Sequence, residues 1–306
     1  MPVYLLMAGG ALLRKANILK REHDIGVMQM IFSVMLPCYI LDRTLGAEVL
    51  HDIRTVVTGA GLGFFIIIVG IALGYLAGKL IGLERGQGRR TFAVASGCQN
   101  FGFTAVPVVE ILWGGSAVAL LFVHNLGVEV AMWSVGVMLV SGSNGIPWRC
   151  LINGPIIAVA ISLALVSLQI DDQMTGSVRD SISMIGIGAF PLAIMMTGAM
   201  IMDLAVAEKP SLKIVVASCV VRLALAPALI ILSARFIPMA LELKQILVVQ
   251  AAMPAALGPI LLARMYQGRP AVAVQVVVAT TVVSIFTLPY IITYGIRYLE
   301  LTPLSP

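Results

Sequence analysis

The stretch TFAVASGCQNFGFTAVPVVEILWG, residues 91–114, decides the fold. It is mostly apolar up to Gln99, continues through Asn100 and Gly102, and has Pro107 in the first turn of a second apolar run. Because glycine relaxes the backbone and proline lacks an N–H donor, this pattern predicts a membrane-spanning helix that is interrupted at its middle. Opened backbone inside a bilayer is tolerated only where it is buried in protein or lines a cavity. The interruption is therefore a candidate binding site.

A second interrupted stretch, QILVVQAAMPAALGPILLARMYQG, lies at residues 245–268, with Pro254, Gly258 and Pro259 at its centre. When the two halves of the chain are aligned with a constant offset in numbering, Asn100 falls on Pro254. In this alignment each half contains, in the same order, a proline-bearing span, an interrupted helix and a further helix. Such matched interruptions indicate a transporter site of the discontinuous-helix kind. The second centre, MPAALGP, contains no strongly polar side chain.

The composition is that of a polytopic membrane protein. Of 306 residues, 59% are hydrophobic and 11% are charged, against roughly 25% charged in soluble proteins, and the mean hydropathy is +1.01. The formal charge of +5 comes from basic residues in short loops, which the positive-inside rule explains without a nucleic-acid partner. The four cysteines have no CxxC spacing and are interpreted as small buried hydrophobic residues: Cys38, Cys98, Cys150 and Cys219.

A span needs about 20 apolar residues, and on that scale the chain is predicted to be an all-α protein with ten transmembrane helices. The expected spans are 2–13, 25–45, 56–81, 91–113, 117–140, 148–170, 181–202, 212–236, 245–266 and 271–294. Five spans per half require the halves to insert with opposite topology, as in inverted repeats. We expect a first repeat at 1–140, a short cytoplasmic linker at 141–150 and a second repeat at 151–306, within one membrane domain.

The Lys and Arg distribution predicts the orientation. With the N-terminus outside, thirteen of the 20 Lys and Arg residues fall in cytoplasmic loops and six outside, and Arg222 lies within a span. The positive-inside rule therefore places both termini on the extracytoplasmic side. The fourth span then runs outward and the ninth inward. If they cross, the N-terminal ends of their second halves face the midplane, where partial positive charge and free N–H groups suit an anion.

Polar residues within the spans are functional candidates because they are costly in lipid. Glu129 lies near the middle of the fifth span, with Asn125 four residues earlier on the same helical face and His124 beside it. Glu129 and His124 are the one acid and base pair expected near the centre, and we predict a role in proton coupling. A structural interhelical hydrogen bond for Glu129 and a packing role for His124 are the alternatives.

Arg222 lies near the centre of the eighth span, where it could attract a carboxylate substrate or join two helices. Gln99 and Asn100 can donate and accept hydrogen bonds together, which suits a carboxylate ligand, or they could cap the opened helix ends. Asp42 and Asp203 follow proline-bearing spans closely and are predicted to be solvated helix ends.

Motifs of the common membrane enzymes and of ATP-driven transport are missing from the sequence. It contains no HExxH, GxSG or GxGD motif and no Walker A sequence. No cluster of carboxylates indicates a sodium site. We therefore expect no enzyme activity, no cofactor and no bound metal.

Several segments resemble the auxin efflux carrier family of membrane transport proteins, and the resemblance covers nearly the whole chain. The matching segments are FSVMLPCYIL at 32–41, NFGFTAVP at 100–107, RLALAP at 222–227, ARMYQGRPAVAV at 263–274 and TTVVSIFTLP at 280–289.

The resemblance implies two five-helix inverted repeats, with a scaffold part and a transport part that contains two crossed broken helices. It also implies carriage of organic anions, such as auxin in plants and malate- or malonate-type carboxylates in bacteria. Asn100 and Pro107 fall where the family places its first crossover, and Pro254 falls at the second. Ala105 stands where the family usually has glycine, and the short loop 141–148 is typical of a compact prokaryotic member.

These observations predict a secondary carrier of small organic anions in the cell membrane. The substrate-binding residues are expected to be Gln99, Asn100, Gly102, Pro107, Asn125, Arg222, Pro254 and Gly258. The alternatives are a cation- or bile-acid-type carrier with inverted repeats and a membrane receptor or scaffold that transports nothing. The expected partners are the organic anion, the lipid bilayer and protons, and a homodimer is left open.

Overall fold

The computed structural model describes residues 2–84, 86, 88–142, 152–170, 176–207 and 210–303, without the side chains of 206 and 207. Regular structure in these ranges is helical, apart from an isolated β-bridge between Gln99 and Ala255. Most of the expected linker 141–150 and the start of the sixth expected span lie outside the described residues. The same holds for Arg85, Trp148, Arg149, Cys150 and Lys209.

The first half of the chain forms helices α1 (Pro2–Lys15), α2 (Arg21–Thr44), α3 (Ile53–Leu80), α4 (Arg89–Gly97), α5 (Ala105–Trp113) and α6 (Gly115–Ser141). The second half forms α7 (Gly154–Ser167), α8 (Ser177–Ile187), α9 (Ala189–Ala207), α10 (Leu212–Phe236), α11 (Leu241–Ala252), α12 (Gly258–Met265) and α13 (Pro270–Tyr298). Asp52 begins α3 by accepting hydrogen bonds from the N–H groups of Arg54 and Thr55.

Among the described residues, six helical segments are long and apolar enough to cross a membrane. They are α2, α3, α6, α8 together with α9, α10 and α13. The chain is thus a multi-pass membrane protein. The sixth expected span is represented by α7, whose 14 residues are fewer than the roughly 20 that a span needs. The other helices, α1, α4, α5, α11 and α12, are each too short to cross alone.

The helices pack as two groups. The first helix group consists of α1, α2, α7, α8 and α9, in which α1 lies along α9 and α2 packs against α7 and α8. The second helix group consists of α3 to α6 and α10 to α13, in which α3 packs along α4 and α6, and α13 contacts α4 and α10 to α12. The groups meet where α2 contacts α6 and where α9 contacts α13. Both interrupted stretches belong to the second group.

Two glycines allow α3 and α6 to approach closely. A methyl group on Gly63 would lie 2.0 Å from the carbonyl oxygen of His124, and one on Gly127 would lie 1.8 Å from that of Ala60. Small residues at helix contacts let backbones approach in a membrane, where packing drives association. This contact fixes the position of α6, which carries His124, Asn125 and Glu129 of the candidate site.

Gly63→Ala is expected to lower the melting temperature of the detergent-solubilised protein. Forcing a methyl group into a packed contact costs about 1–3 kcal/mol, which exceeds the roughly 1 kcal/mol that alanine gains over glycine within a helix. Gly61→Ala in the same helix is the matched control, since its added methyl group would meet nothing within 4 Å, and it should melt no lower than the wild type. Equal melting of both variants would contradict the close contact.

Single π-helical turns occur in three spans, at Ile31–Met35 in α2, Met132–Gly136 in α6 and Val221–Leu225 in α10. Two of these turns come just before Pro37 and Pro227. A proline cannot donate to the preceding turn, and a widened turn accommodates the missing bond. Single π turns are frequent at functional sites. The sequence did not predict any of the three.

Asp42 and Asp203 are ion-paired, so the prediction that they are solvated helix ends was wrong. Asp42, at the end of α2, accepts a hydrogen bond of 3.3 Å from Arg179 at the start of α8. Asp203, near the end of α9, lies 3.0 Å from Arg21 and 3.3 Å from Arg14. Asp42 thus joins the end of α2 to the start of α8, and Asp203 joins the end of α9 to the start of α2. The two ion pairs hold α2 against α8 and α9 at both of its ends.

Candidate functional site

The two interrupted stretches meet at one point, which we call the crossing and define as residues 98–104 and 253–257. Residues 98–100 and 254–256 run antiparallel as short extended segments. The N–H of Asn100 donates to the carbonyl of Pro254 at 2.7 Å, and the N–H of Ala256 donates to that of Cys98 at 2.9 Å. These bonds satisfy backbone groups that the interrupted helices leave open, as burial in a membrane requires.

Four helix ends surround the crossing. The C-terminal ends of α4 and α11 lead into it, and α5 and α12 begin beyond it with Pro107 and Pro259 in their first turns. A helix carries roughly half a positive charge at its N-terminus and half a negative charge at its C-terminus. The crossing therefore has two positive and two negative ends, and the positive N-terminal ends of α5 and α12 favour a bound anion.

Side-chain amides hold the turn that follows the first interruption. Asn125 of α6 donates to the carbonyl of Phe101 at 3.0 Å, and Gln250 of α11 donates to the side-chain oxygen of Asn125 at 3.1 Å. Gln250 was missed because the polar residue was sought within MPAALGP, whereas it lies four residues before Pro254. The signal was present in the sequence as one amide in an otherwise apolar run.

Several polar atoms at the crossing and on the neighbouring helices α6 and α11 have no hydrogen-bond partner within the described residues. They are both side-chain amide atoms of Gln99, Nε2 of His124 and Oε1 of Gln250, all on fully buried residues. The Asn100 side chain keeps 8% exposure, and open space lies beside Gly102. A buried polar group left without a partner costs about 1–3 kcal/mol. Such atoms indicate a place for water or a polar ligand.

Arg222 lies beside the same site, on the π turn of α10. Its side chain is fully buried, and it donates one long hydrogen bond of 3.4 Å to the carbonyl of Ala251, near the end of α11. Nε and Nη1 of the guanidinium have no hydrogen-bond partner among the described residues. The π turn that carries Arg222 also packs against α4, which ends at Gly97. A cation is therefore held next to the crossing.

The other predicted site residues take different positions. Pro254 and Gly258 lie in and after the second interruption, and a methyl group on Gly258 would lie 3.1 Å from the sulfur of Met132. Glu129 accepts a hydrogen bond of 2.7 Å from the indole N–H of Trp133. Among the described residues, no hydrogen bond or ion pair joins Glu129 to His124, so the geometry does not bring the expected acid and base into contact.

Glu110 is the carboxylate of the broken fourth span, and it was not among the site residues predicted from the sequence. It lies on α5, where its carboxylate accepts a hydrogen bond from the Tyr39 hydroxyl and lies 2.5 Å from the Arg43 guanidinium. Tyr39 and Arg43 belong to α2, so this cluster joins the two helix groups. The one charge in the apolar run AVPVVEILW was the available signal.

The arrangement has the chemistry of a binding site. No group of three or more His, Cys, Asp or Glu side chains in the described ranges could hold a metal ion. Amides, a buried guanidinium and two helix N-termini instead converge on the crossing, and these groups recognise carboxylates by hydrogen bonds and charge.

Comparison with known proteins gives an independent observation. A sequence profile of the family described as "Membrane transport protein" matches residues 1–146 and, a second time, residues 143–292. The two matches cover nearly the whole chain and divide it close to its middle. No curated protein matches the chain.

Proposed function

Because the chain belongs to the auxin efflux carrier-type family of membrane transport proteins, we propose that it is a secondary carrier of small organic anions across the cell membrane. The observation that carries this proposal is the crossing, where unpartnered buried amide atoms and a buried guanidinium lie beside two helix N-termini. The function is binding and movement of a carboxylate, with no enzymatic step.

We further propose ten spans in two inverted repeats, residues 1–140 and 151–306, joined by the linker 141–150, with both termini on the extracytoplasmic side. The family profile that matches twice supports the repeat, and pairing of the two interruptions supports a shared crossing. In this scheme α4 with α5 and α11 with α12 are the fourth and ninth spans, and they cross the membrane in opposite directions.

The proposed substrate-binding residues lie on the crossing or at its edges. Gln99, Asn100 and Asn125 supply amides, Gly102 leaves room, and Arg222 supplies positive charge. Pro107, Pro254 and Gly258 shape the backbone. Net positive charge at the crossing favours malate- or malonate-like dicarboxylates over an aromatic monocarboxylate such as auxin.

Flux in proteoliposomes tests the proposal. We expect a labelled mono- or dicarboxylate to cross the bilayer with this protein and not with empty vesicles. A thermal-shift screen would find the substrate first, since a ligand at a hundredfold excess over its Kd stabilises the native state by about 2.7 kcal/mol. Absence of flux across a broad panel would favour a receptor or scaffold. Flux that requires sodium would favour a cation- or bile-acid-type carrier.

Any ion coupling is proposed to use protons, with Glu129 as the group that ionises and His124 as a second candidate. Glu129→Gln is expected to flatten the dependence of initial rate on pH, because glutamine cannot ionise but can still accept the bond from Trp133. The measurement is initial rate against pH at clamped membrane potential, with and without sodium.

The exposed residue Glu48 provides the matched control, since Glu48→Gln removes a carboxylate outside the spans and should keep the wild-type profile. Efflux of a monoanion would need no coupling, because an interior-negative potential favours it by roughly 2.3 kcal/mol per 100 mV. A sodium requirement, or a wild-type pH profile in Glu129→Gln, would contradict proton coupling.

A further inference from the structure

We infer that Arg222 is a built-in cation that neutralises the two helix C-termini at the crossing, in the position where a coupling metal cation would otherwise bind. The inference rests on the proposed carrier function and adds to it, because it predicts that transport requires no bound metal cation. Among the proposed substrate-binding residues, it gives Arg222 the role of setting the charge of the crossing, whereas the amides contact the substrate directly.

The location of the guanidinium supports this role. In carriers with discontinuous helices, unwound carbonyls and the C-terminal ends of half-helices coordinate the coupling cation. Arg222 donates to the carbonyl of Ala251, one residue before the end of α11. The π turn that carries Arg222 packs against α3, α4 and α13. The guanidinium is therefore bonded to the C-terminal end of α11, and it lies on a turn that packs against α4, whose C-terminal end leads into the same crossing.

The charges also balance. A buried unpaired cation is very costly, and among the described residues no carboxylate forms an ion pair with Arg222. Each helix C-terminus carries roughly half a negative charge, so the ends of α4 and α11 together offset about one positive charge. No cluster of His, Cys, Asp or Glu side chains suited to a metal is present in the described ranges. Arg222 thus supplies what a metal cation would supply.

This arrangement has a consequence for the anion. With the two C-termini neutralised, the positive N-termini of α5 and α12 act on the crossing without opposing charge, and a carboxylate can bind there. Removal of the guanidinium would leave two uncompensated negative ends in a buried space, which would repel an anion and attract a small cation.

The test is the melting temperature of the purified protein in sodium chloride and in choline chloride. The wild type should melt at the same temperature in both salts. Arg222→Gln should melt lower than the wild type in choline chloride, and sodium should raise its melting temperature by about 2–4 °C by binding the native state. Arg222→Lys retains a cation and should show no response to sodium. Arg235→Gln, an exposed arginine on the same helix, is the control for simple loss of charge.

Three results would overturn the inference: a sodium response in the wild type or in Arg222→Lys, no sodium response in Arg222→Gln, or failure of Arg222→Gln to fold in either salt. The KM for malonate transport is a second, separate measurement. A raised KM for malonate in Arg222→Gln that sodium does not reverse would make Arg222 a direct substrate ligand instead. If the wild type carries no carboxylate at all, the carrier function fails, whereas the melting comparison still decides the role of Arg222.

Discussion

Asn100→Ala is expected to lower the initial rate of anion transport by about 10- to 100-fold, the equivalent of one hydrogen bond to a charged group, with little change in melting temperature. The structural reason is that the backbone of Asn100, and not its side chain, holds the crossing together through the bond to Pro254. No described residue bonds its side-chain amide, which is therefore available to a ligand. Alanine at this position keeps the backbone bond and removes only the amide.

Asn153→Ala is the matched control for Asn100→Ala. The Asn153 side chain caps α7 by accepting a hydrogen bond of 3.0 Å from the N–H of Ile156, far from the crossing in the chain. Loss of such a cap costs about 0.5–2 kcal/mol, so this variant should melt lower and keep its transport rate. The opposite pattern, with Asn100→Ala melting much lower, would make Asn100 a structural cap and remove it from the binding site.

The second large effect is expected at the contact between the two helix groups. Arg43→Gln should destabilise the protein by about 1–3 kcal/mol, because it leaves the Glu110 carboxylate without its cation. This loss of stability is smaller than that expected for a fully buried ion pair, because the two side chains are 31% and 33% exposed and water screens their interaction. The double variant Arg43→Gln, Glu110→Gln should be more stable than Arg43→Gln alone, because it leaves no uncompensated charge.

Thermal unfolding of the two single variants and the double variant forms a double-mutant cycle for this contact. Additive effects would show that Arg43 and Glu110 do not interact. The exposed pair Lys20 and Glu22 is the control, with side chains 50% and 67% exposed, and Glu22→Gln should change stability little. A carrier that moves one helix group against the other would have to break the Glu110 contact, so the same variants should also change the transport rate.

The sequence predicted features that depend on neighbouring residues. Long apolar runs indicated a multi-pass membrane protein, and the family profile and the six candidate spans agree with that prediction. Gly102, Pro107 and Pro254 marked the regions where the helices are interrupted, because glycine and proline weaken the local backbone ladder wherever they occur. Asn125 and Arg222 were recognised as candidates because a polar side chain within an apolar span is energetically costly unless it has a structural or functional role.

The interaction partners of charged residues were harder to predict from the sequence than the positions of those residues within the spans. Asp42 and Asp203 were expected to be solvated because each lies near the end of a span, but their arginine partners come from distant parts of the chain. Glu129 and His124 were expected to act as a pair, yet five residues along a helix correspond to about 500° of rotation, so their side chains point in different directions.

The sequence by itself determined that this chain is a multi-pass membrane protein and where its helices are interrupted, because hydropathy and backbone preference are properties of short segments. Only the tertiary structure decided that Gln99 pairs with Ala255, that Gln250 reaches Asn125, and that the guanidinium of Arg222 bonds to the carbonyl of Ala251 near the end of α11. These contacts join residues far apart in the chain. They form because buried polar groups must find partners, and which partners are in reach depends on how the helices pack.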